Sequence, residues 1–464
     1  MACRMRMTVG CVEQDDRSCH GPRAGLCGWR SRASEGERGA VETVAEACRD
    51  LERAGGRLAL TGRLAALLAR TPAELLPTVC YLCQGLIAPE FAGVDLGLAE
   101  KLAVRAVATA TGAGPEQVAA SVRETGDLGQ AAEQLLTVTA AGRPASLEVT
   151  VVVDTLHRIA GSEGPGSQGR KLDLLAGLLG QATPLEARYL LRLVTGGLRL
   201  GIGTPTILDA LAQVHAGGRA ARPVLERAYN ICCDLGQVAS TLVTGGVAAV
   251  EQLQVRPGNP VRAMLAQRLS DPAEILVKLG GRCAAEYKYD GVRVQAHRTA
   301  DGAIELFTRR LERVSTQFPD VVEVLRAGLG PSEAIVEGEV VAFDPSAGEL
   351  RPFQEVMFRR RKHGIPDAVR DVPVGLFCSP FALASTLPSG LNATPLTSWA
   401  PAWRGAPAGC LVTGFHSRTV PSLSALASSG PARPAIADST MKLQPGVIWK
   451  TMRTRLGFPP GQRG

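Results

Sequence analysis

Ala285-Glu286-Tyr287-Lys288-Tyr289-Asp290-Gly291-Val292-Arg293 places one lysine inside an alternating run, with Glu286, Lys288 and Asp290 two residues apart. On a β-strand that period directs the three side chains to one face. Asp290-Gly291 is a turn signal, after which Val292, Val294 and Ala296 resume the alternation. A lysine flanked by carboxylates on a sheet surface, with Arg293 just past the turn, suits covalent chemistry on a phosphorylated substrate. At its reference pKa of about 10.4 the amine is protonated and cannot attack. Desolvation and neighbouring cations free it, whereas carboxylates alone hold the proton on, so a divalent metal offsetting the acids is expected. The plain alternative is a surface hairpin with alternating charges, and the downstream residues must decide.

Ile304-Glu305-Leu306-Phe307-Thr308-Arg309-Arg310 reads as a short strand ending in two cations, and Ala334 to Asp344 as a longer β-prone run. Period-two counting puts Glu337 and Glu339 on one face and Ala334, Val336, Gly338 and Val340 on the other. Acids interrupting a buried strand are costly unless they bind a cation or accept hydrogen bonds. In this order the lysine stretch, the Thr-Arg-Arg strand end and the Glu-Gly-Glu strand resemble motifs I, Ia and III of the covalent nucleotidyltransferases. Within that group the chain resembles the ATP-dependent DNA ligases. The resemblance implies that Lys288 attacks ATP to form a lysyl-AMP phosphoramidate. It further implies that Glu286 bonds the adenine amino group and that Arg293 and Arg309 hold ribose and phosphate. Glu339 would bond the ribose or the Mg²⁺ shell. Pro352 to Met357, with Arg359-Arg360-Arg361-Lys362, matches the family's segment after motif III; the basic run is either a solvated hairpin tip or a phosphate contact.

Upstream, residues 41 to 250 are rich in Ala and Leu, with helical spacing in Ala99 to Thr111, Leu147 to Ala160, Arg170 to Ala182 and Pro184 to Val194. Gly196-Gly197 and Gly201 are stop signals, and Thr204-Pro205 opens the next helix. The glycine-bearing loop Gly161 to Gly169 leads into Arg170-Lys171, where helix-start amides and two cations can grip phosphate. An ordinary helical bundle with glycine loops would share this composition. Gly166-Ser167-Gln168 followed by Arg170-Lys171, then Gly197-Leu198-Arg199-Leu200-Gly201, resembles the helical DNA-binding domain of the larger ATP-dependent DNA ligases. Pro260 to Ala266 resembles that family's linker into its catalytic domain. The fold implied is multidomain: an all-α N-terminal DNA-binding domain over 41–250, then a partial α+β nucleotidyltransferase (adenylation) domain over 251–378.

From Gly375 the resemblance deteriorates. Ser379-Pro380 stands where the family's strand would end in an aromatic residue and an aspartate. Between Ser379 and Met441 the charged side chains are Arg404, Arg418, Arg433 and Asp438, with no sustained period of 2 or 3.6. The family's later metal and lysine motifs and its C-terminal OB-fold are not found there. A reading-frame shift in a GC-rich gene, or a truncated product, would give such a break, and the other frames should then encode the missing motifs. Residues 379–464 are expected to be a low-complexity tail. Residues 1–40, with Cys3, Cys11, Cys19 and Cys27 at eight-residue spacing that fits no common zinc pattern, are expected to be disordered or mis-assigned.

A net charge of +7 permits polyanion binding without proving it. No apolar run reaches the length of a membrane span, and twelve cysteines without a secretory signal read as reduced cytoplasmic thiols. Cys80 and Cys83 are expected in a core and Cys232-Cys233 inside a helix. The reading is a monomeric enzyme sealing nicks in duplex DNA during repair, replication or recombination, cytoplasmic and nucleoid-associated if bacterial, using ATP and Mg²⁺, with no membrane partner. Two alternatives stay open: an RNA ligase or capping-type nucleotidyltransferase, and a catalytically defective nick-binding remnant.

Overall fold

The computed structural model describes residues 41–139, 147–263, 269–281, 283–285, 289–361, 364–378, 410–414 and 418–420. The readings on residues 1–40, Glu286, Lys288 and Lys362, and most of those on 379–464, lie outside the described residues. Contacts divide the chain into a helical unit, which runs to Ala263 and also takes in Phe307–Arg313, and a sheet-bearing unit made of Met264–Leu306 and the chain from Val314 onward.

The helical unit runs α1 Val41–Glu52, α2 Arg57–Arg70, α3 Leu76–Gln84, α4 Glu100–Thr111, α5 Pro115–Thr125 and α6 Leu128–Thr139. It continues with α7 Val149–Ala160, α8 Ser167–Gln181, α9 Pro184–Val194, α10 Thr204–His215, α11 Arg222–Cys232 and α12 Leu235–Glu251. The α9 bounds agree with the sequence reading because a capping box fixes its start. Thr183 Oγ1 accepts from the Glu186 amide at 3.3 Å while Glu186 accepts from the Thr183 amide at 2.8 Å. This helix is buried on nearly every side. Tyr189 joins one apolar core and Leu190 and Leu191 the other, so α9 is the shared wall of two clusters.

Burial on all sides would strand the two arginines of α9 without nearby acids. Arg188 pairs with Glu52 at 2.7 Å and Glu133 at 2.9 Å; Arg192 pairs with Asp127 at 3.0 Å and with Glu52. Cys80 and Cys83 are buried as expected, and burial pushes the Cys83 thiol up to about 12. Cys233 corrects the sequence reading. It is no helix interior but the left-handed cap of α11, at φ 50°, because Asp234 at once caps α12 by accepting from the Gln237 amide. No described helix is long and apolar enough to cross a membrane.

The sheet unit contains α13 Pro272–Lys278, β1 Cys283–Ala285, β2 Val292–Arg298, β3 Ile304–Thr308, α14 Pro319–Gly328, β4 Ala334–Asp344 and β5 Glu349–Leu350. Then come α15 Phe353–Met357, α16 Ile365–Asp371, β6 Val374–Cys378, β7 Cys410–Gly414 and β8 Arg418–Val420. The main sheet has the order β3-β2-β4-β6-β7, with β5 pairing β4. β2/β4 and β4/β6 are antiparallel and β6/β7 parallel, and β1 pairs β8 separately. One face is apolar: Val292, Val294 and Ala296 pack with Val340 and Leu376 against Val321 and Val324 of α14. The alternation that fills this core puts the residues between them on the opposite face.

Candidate active site

β2 and β4 pair so that Arg293 stands opposite Glu339, Val294 opposite Gly338 and Gln295 opposite Glu337. β4 and β6 pair so that Glu339 stands opposite Phe377. Arg293, Glu339 and Phe377 therefore form a row across three neighbouring strands on the polar face. Cross-strand partners of this kind lie about 5 Å apart at Cβ, close enough to share one ligand. Gly338 lets the row form, since a Cβ there would meet the Phe377 carbonyl at 2.7 Å. Gly291 answers the same demand at the turn, where a Cβ would collide with the Val340 carbonyl.

The Arg293 guanidinium reaches diagonally to Glu337, with Nε donating to Oε1 at 3.0 Å and Nη2 lying 2.8 Å from Oε2. Tyr289, the residue after Lys288, stacks on the Phe377 ring with centroids 4.5 Å apart and planes at 22°. Asp290 accepts from the Phe353 amide at 3.1 Å, tying the motif I turn to the start of α15. Further along the face His297 is fully buried, and burial lowers its pKa to about 4, so the ring is neutral at ordinary pH.

Of the residues read from sequence, the structure brings Arg293 and Glu339 together. Arg309 is exposed in the turn after β3, where Thr308 Oγ1 accepts from the amides of Arg310 and Glu312. That is why a threonine precedes the arginine pair: its hydroxyl closes the turn. Lys288 and Glu286 lie outside the described residues. Sequence reasoning missed Phe377 and Tyr289 as a stacked pair and Glu337 as the partner of Arg293. Aromatic residues flanking the motifs were visible, but their meeting depends on the β4/β6 register.

Two groups of cations correct their sequence readings. Arg359 is neither a hairpin tip nor a phosphate contact: it is fully buried, paired with Asp320, and donates to the Val372 carbonyl at 2.9 Å. In the helical unit Lys171 does not face outward. It is buried and donates to the Leu96 carbonyl at 2.7 Å, while Arg170 donates to the carbonyls of Pro165 and Glu163 at 3.0 and 2.6 Å. Both α8 cations satisfy loop carbonyls that have no helical partner. Arg199 stays exposed, in left-handed backbone at φ 46°.

Residues 41–212 match the family described as DNA ligase N terminus, and residues 263–380 match the ATP dependent DNA ligase domain. The chain is 49% identical over 336 residues to a protein named DNA ligase 2 from Thermofilum pendens, covering 70% of this chain and 56% of that one. It is 47% identical over 348 residues to a DNA ligase of Aeropyrum pernix, covering 72% and 58% respectively. A DNA ligase of Staphylothermus marinus is 45% identical over 348 residues, again covering 72% and 58%. The chain thus spans little more than half the length of the curated relatives it matches. With a helical N-terminal region and a sheet-bearing region each matched, in that order, the chain belongs to the ATP-dependent DNA ligase family.

Proposed function

We propose that this chain transfers AMP from ATP to Lys288, then to the 5′-phosphate at a nick in duplex DNA, and that the neighbouring 3′-hydroxyl seals the break. The observation carrying this reading is the row of Arg293, Glu339 and Phe377, on strands that follow Lys288 through the Asp290-Gly291 turn. Cation, acid and aromatic ring in one line offer partners for phosphate, ribose hydroxyl and base.

In the first step the neutral Lys288 amine attacks the α-phosphorus and pyrophosphate leaves. In the second a 5′-phosphate oxygen attacks the same phosphorus and the lysine leaves. In the third the 3′-hydroxyl attacks the activated 5′-phosphate and AMP leaves. Each step is a displacement at phosphorus, where the protein's contribution is positioning and charge. Glu286 accepts from the adenine amino group, the Tyr289–Phe377 pair flanks the base, and Arg293 and Arg309 hold ribose and phosphate.

Glu339 fits a magnesium site of the open kind, in which one or two carboxylates hold the ion and water and substrate phosphate complete its shell. Glu339 stands in register with Arg293 and Phe377 on the face that carries the nucleotide in this reading. When bound, Mg²⁺ supplies charge neutralisation at the transferred phosphoryl group. The helical unit holds the duplex through its sugar-phosphate backbone, so affinity falls steeply with salt. The protein acts as a monomer in the cytoplasm, on the nucleoid if bacterial, in repair, replication or recombination.

The test is incubation of the full chain with ATP labelled in its α-phosphate and Mg²⁺, followed by a denaturing gel. A labelled band is expected, and it should vanish in Lys288→Ala and equally in Lys288→Arg, whose guanidinium is never a neutral nucleophile. Label retained by Lys288→Ala removes the nucleophile assignment, and no label on the unaltered chain overturns the activity. Sealing of nicked RNA in preference to nicked DNA would replace the substrate.

A further inference from the structure

Glu337 is buried in a strand that is apolar on its other face. It does not stand opposite Arg293; that place belongs to Glu339. A guanidinium left to its nearest cross-strand acid would meet Glu339, yet Arg293 turns diagonally and lies edge-on against Glu337 through Nε and Nη2. Two parallel bonds to one edge of a planar group fix its plane as well as its distance.

The pair is also lopsided. The arginine side chain remains 43% exposed while the glutamate is 8% exposed, so the acid is anchored in the sheet and the cation reaches out of it. Between the two acids Gly338 packs against β6 so closely that a Cβ would strike the Phe377 carbonyl, and β4 is hydrogen-bonded to a neighbouring strand on both sides. The anchor is therefore rigid, as a group that aims another must be.

We propose that Glu337 is a positioning residue: it holds the Arg293 guanidinium edge-on, so that the outward edge meets a phosphate of the nucleotide bound on this face. This rests on the nucleotide-binding reading above. It opposes a simpler role, in which Glu337 merely neutralises Arg293, and the two differ in sign. A neutraliser, once removed, would leave a stronger cation and tighter phosphate binding. Loss of a positioning residue weakens it.

The test is ATP binding to the full chain by titration calorimetry, for the unaltered protein, Glu337→Gln, Arg293→Ala and the double variant. Glu337→Gln is expected to weaken ATP binding about tenfold, the loss of one well-aimed charged hydrogen bond. In the Arg293→Ala background the same substitution is expected to change affinity less than about twofold, because nothing remains to be aimed. Glu337→Asp, which keeps the charge on a shorter arm, is expected to fall between Gln and the unaltered chain and stands in if Gln does not fold. Tighter binding by Glu337→Gln overturns the proposal in favour of neutralisation. An equal tenfold loss in the Arg293→Ala background overturns it in favour of a structural role. If the unaltered chain binds no ATP, the nucleotide-binding reading itself falls, and that is visible before any substitution is made.

Discussion

Two arginine–carboxylate pairs in the sheet unit, one in its interior and one on its polar face, use the same groups to opposite ends. Arg359 is fully buried; its donors go to Asp320 and to the carbonyls of Val372 and Gln317, and its guanidinium lies over the Phe318 ring at 5.4 Å. Arg293 pairs with Glu337 along one edge and keeps nearly half its side chain in solvent. The lesson is that a buried acid does not by itself mark a site. What differs is how much of the cation stays in solvent: none of the Arg359 side chain and 43% of the Arg293 side chain.

The comparison breaks most visibly if the interior pair proves dispensable. Arg359→Ala leaves Asp320, 8% exposed, without its cation and removes the donors to two loop carbonyls. Breaking a buried pair on one side costs about 3–5 kcal/mol. A denaturant melt of the full chain should show that loss in the transition of the sheet unit, with the helical transition unmoved. A change below about 1 kcal/mol would mean that the buried geometry is not what holds α15 to β6 and α14.

Arg359 also shows where the sequence stops being legible. In Arg359-Arg360-Arg361-Lys362 nothing local separates the buried arginine from its neighbours, because its acid lies 39 residues earlier on α14. The β4 limits, Ala334 to Asp344, were readable because period-two alternation is written in the strand itself. So was the buried set Val292, Val294 and Ala296. The Arg293–Glu337 diagonal was not, since it depends on the register between strands 44 residues apart, which no local period encodes. Lys171 was misread for a related reason: it finds its carbonyl acceptor 75 residues away.

His297 tests the polar face at the point where burial takes over from exposure. Its folded pKa of about 4 lies below the unfolded value of about 6.5, so above that pH both states are neutral and nothing is gained or lost. As pH falls from 6.5 to 4 the unfolded chain takes up a proton that the folded chain refuses. Stability should therefore drop by about 3 kcal/mol across that window, and fall no further on this account below it. Melts of His297→Gln over the same range should lack this part of the decline. An unchanged slope would place the ring in contact with water.

The helical unit offers the interior pair's counterpart. Arg192→Ala should cost about 2 kcal/mol, less than Arg359 because its acids Glu52 and Asp127 are 19% and 13% exposed and can be rehydrated. Thermal melting followed by helical circular dichroism would register it. A loss as large as that of Arg359→Ala would show that the α9 pairs act as one network rather than as replaceable contacts.

The smallest effect on stability is expected at the residue proposed to matter most for binding. Arg293→Ala removes the partner of a buried glutamate, which is destabilising, but the arginine gives up little buried surface because 43% of its side chain was in solvent already. Water can reach Glu337 from the side the arginine vacates, which limits the loss to about 1 kcal/mol. The same substitution should abolish most ATP affinity in the calorimetric titration. Stability and binding would then separate at Arg293 and coincide at Arg359, where any loss of binding must follow loss of the fold. Equal destabilisation by the two substitutions in parallel denaturant melts would erase the distinction between an arginine that ties the chain together and one that is held out for a ligand.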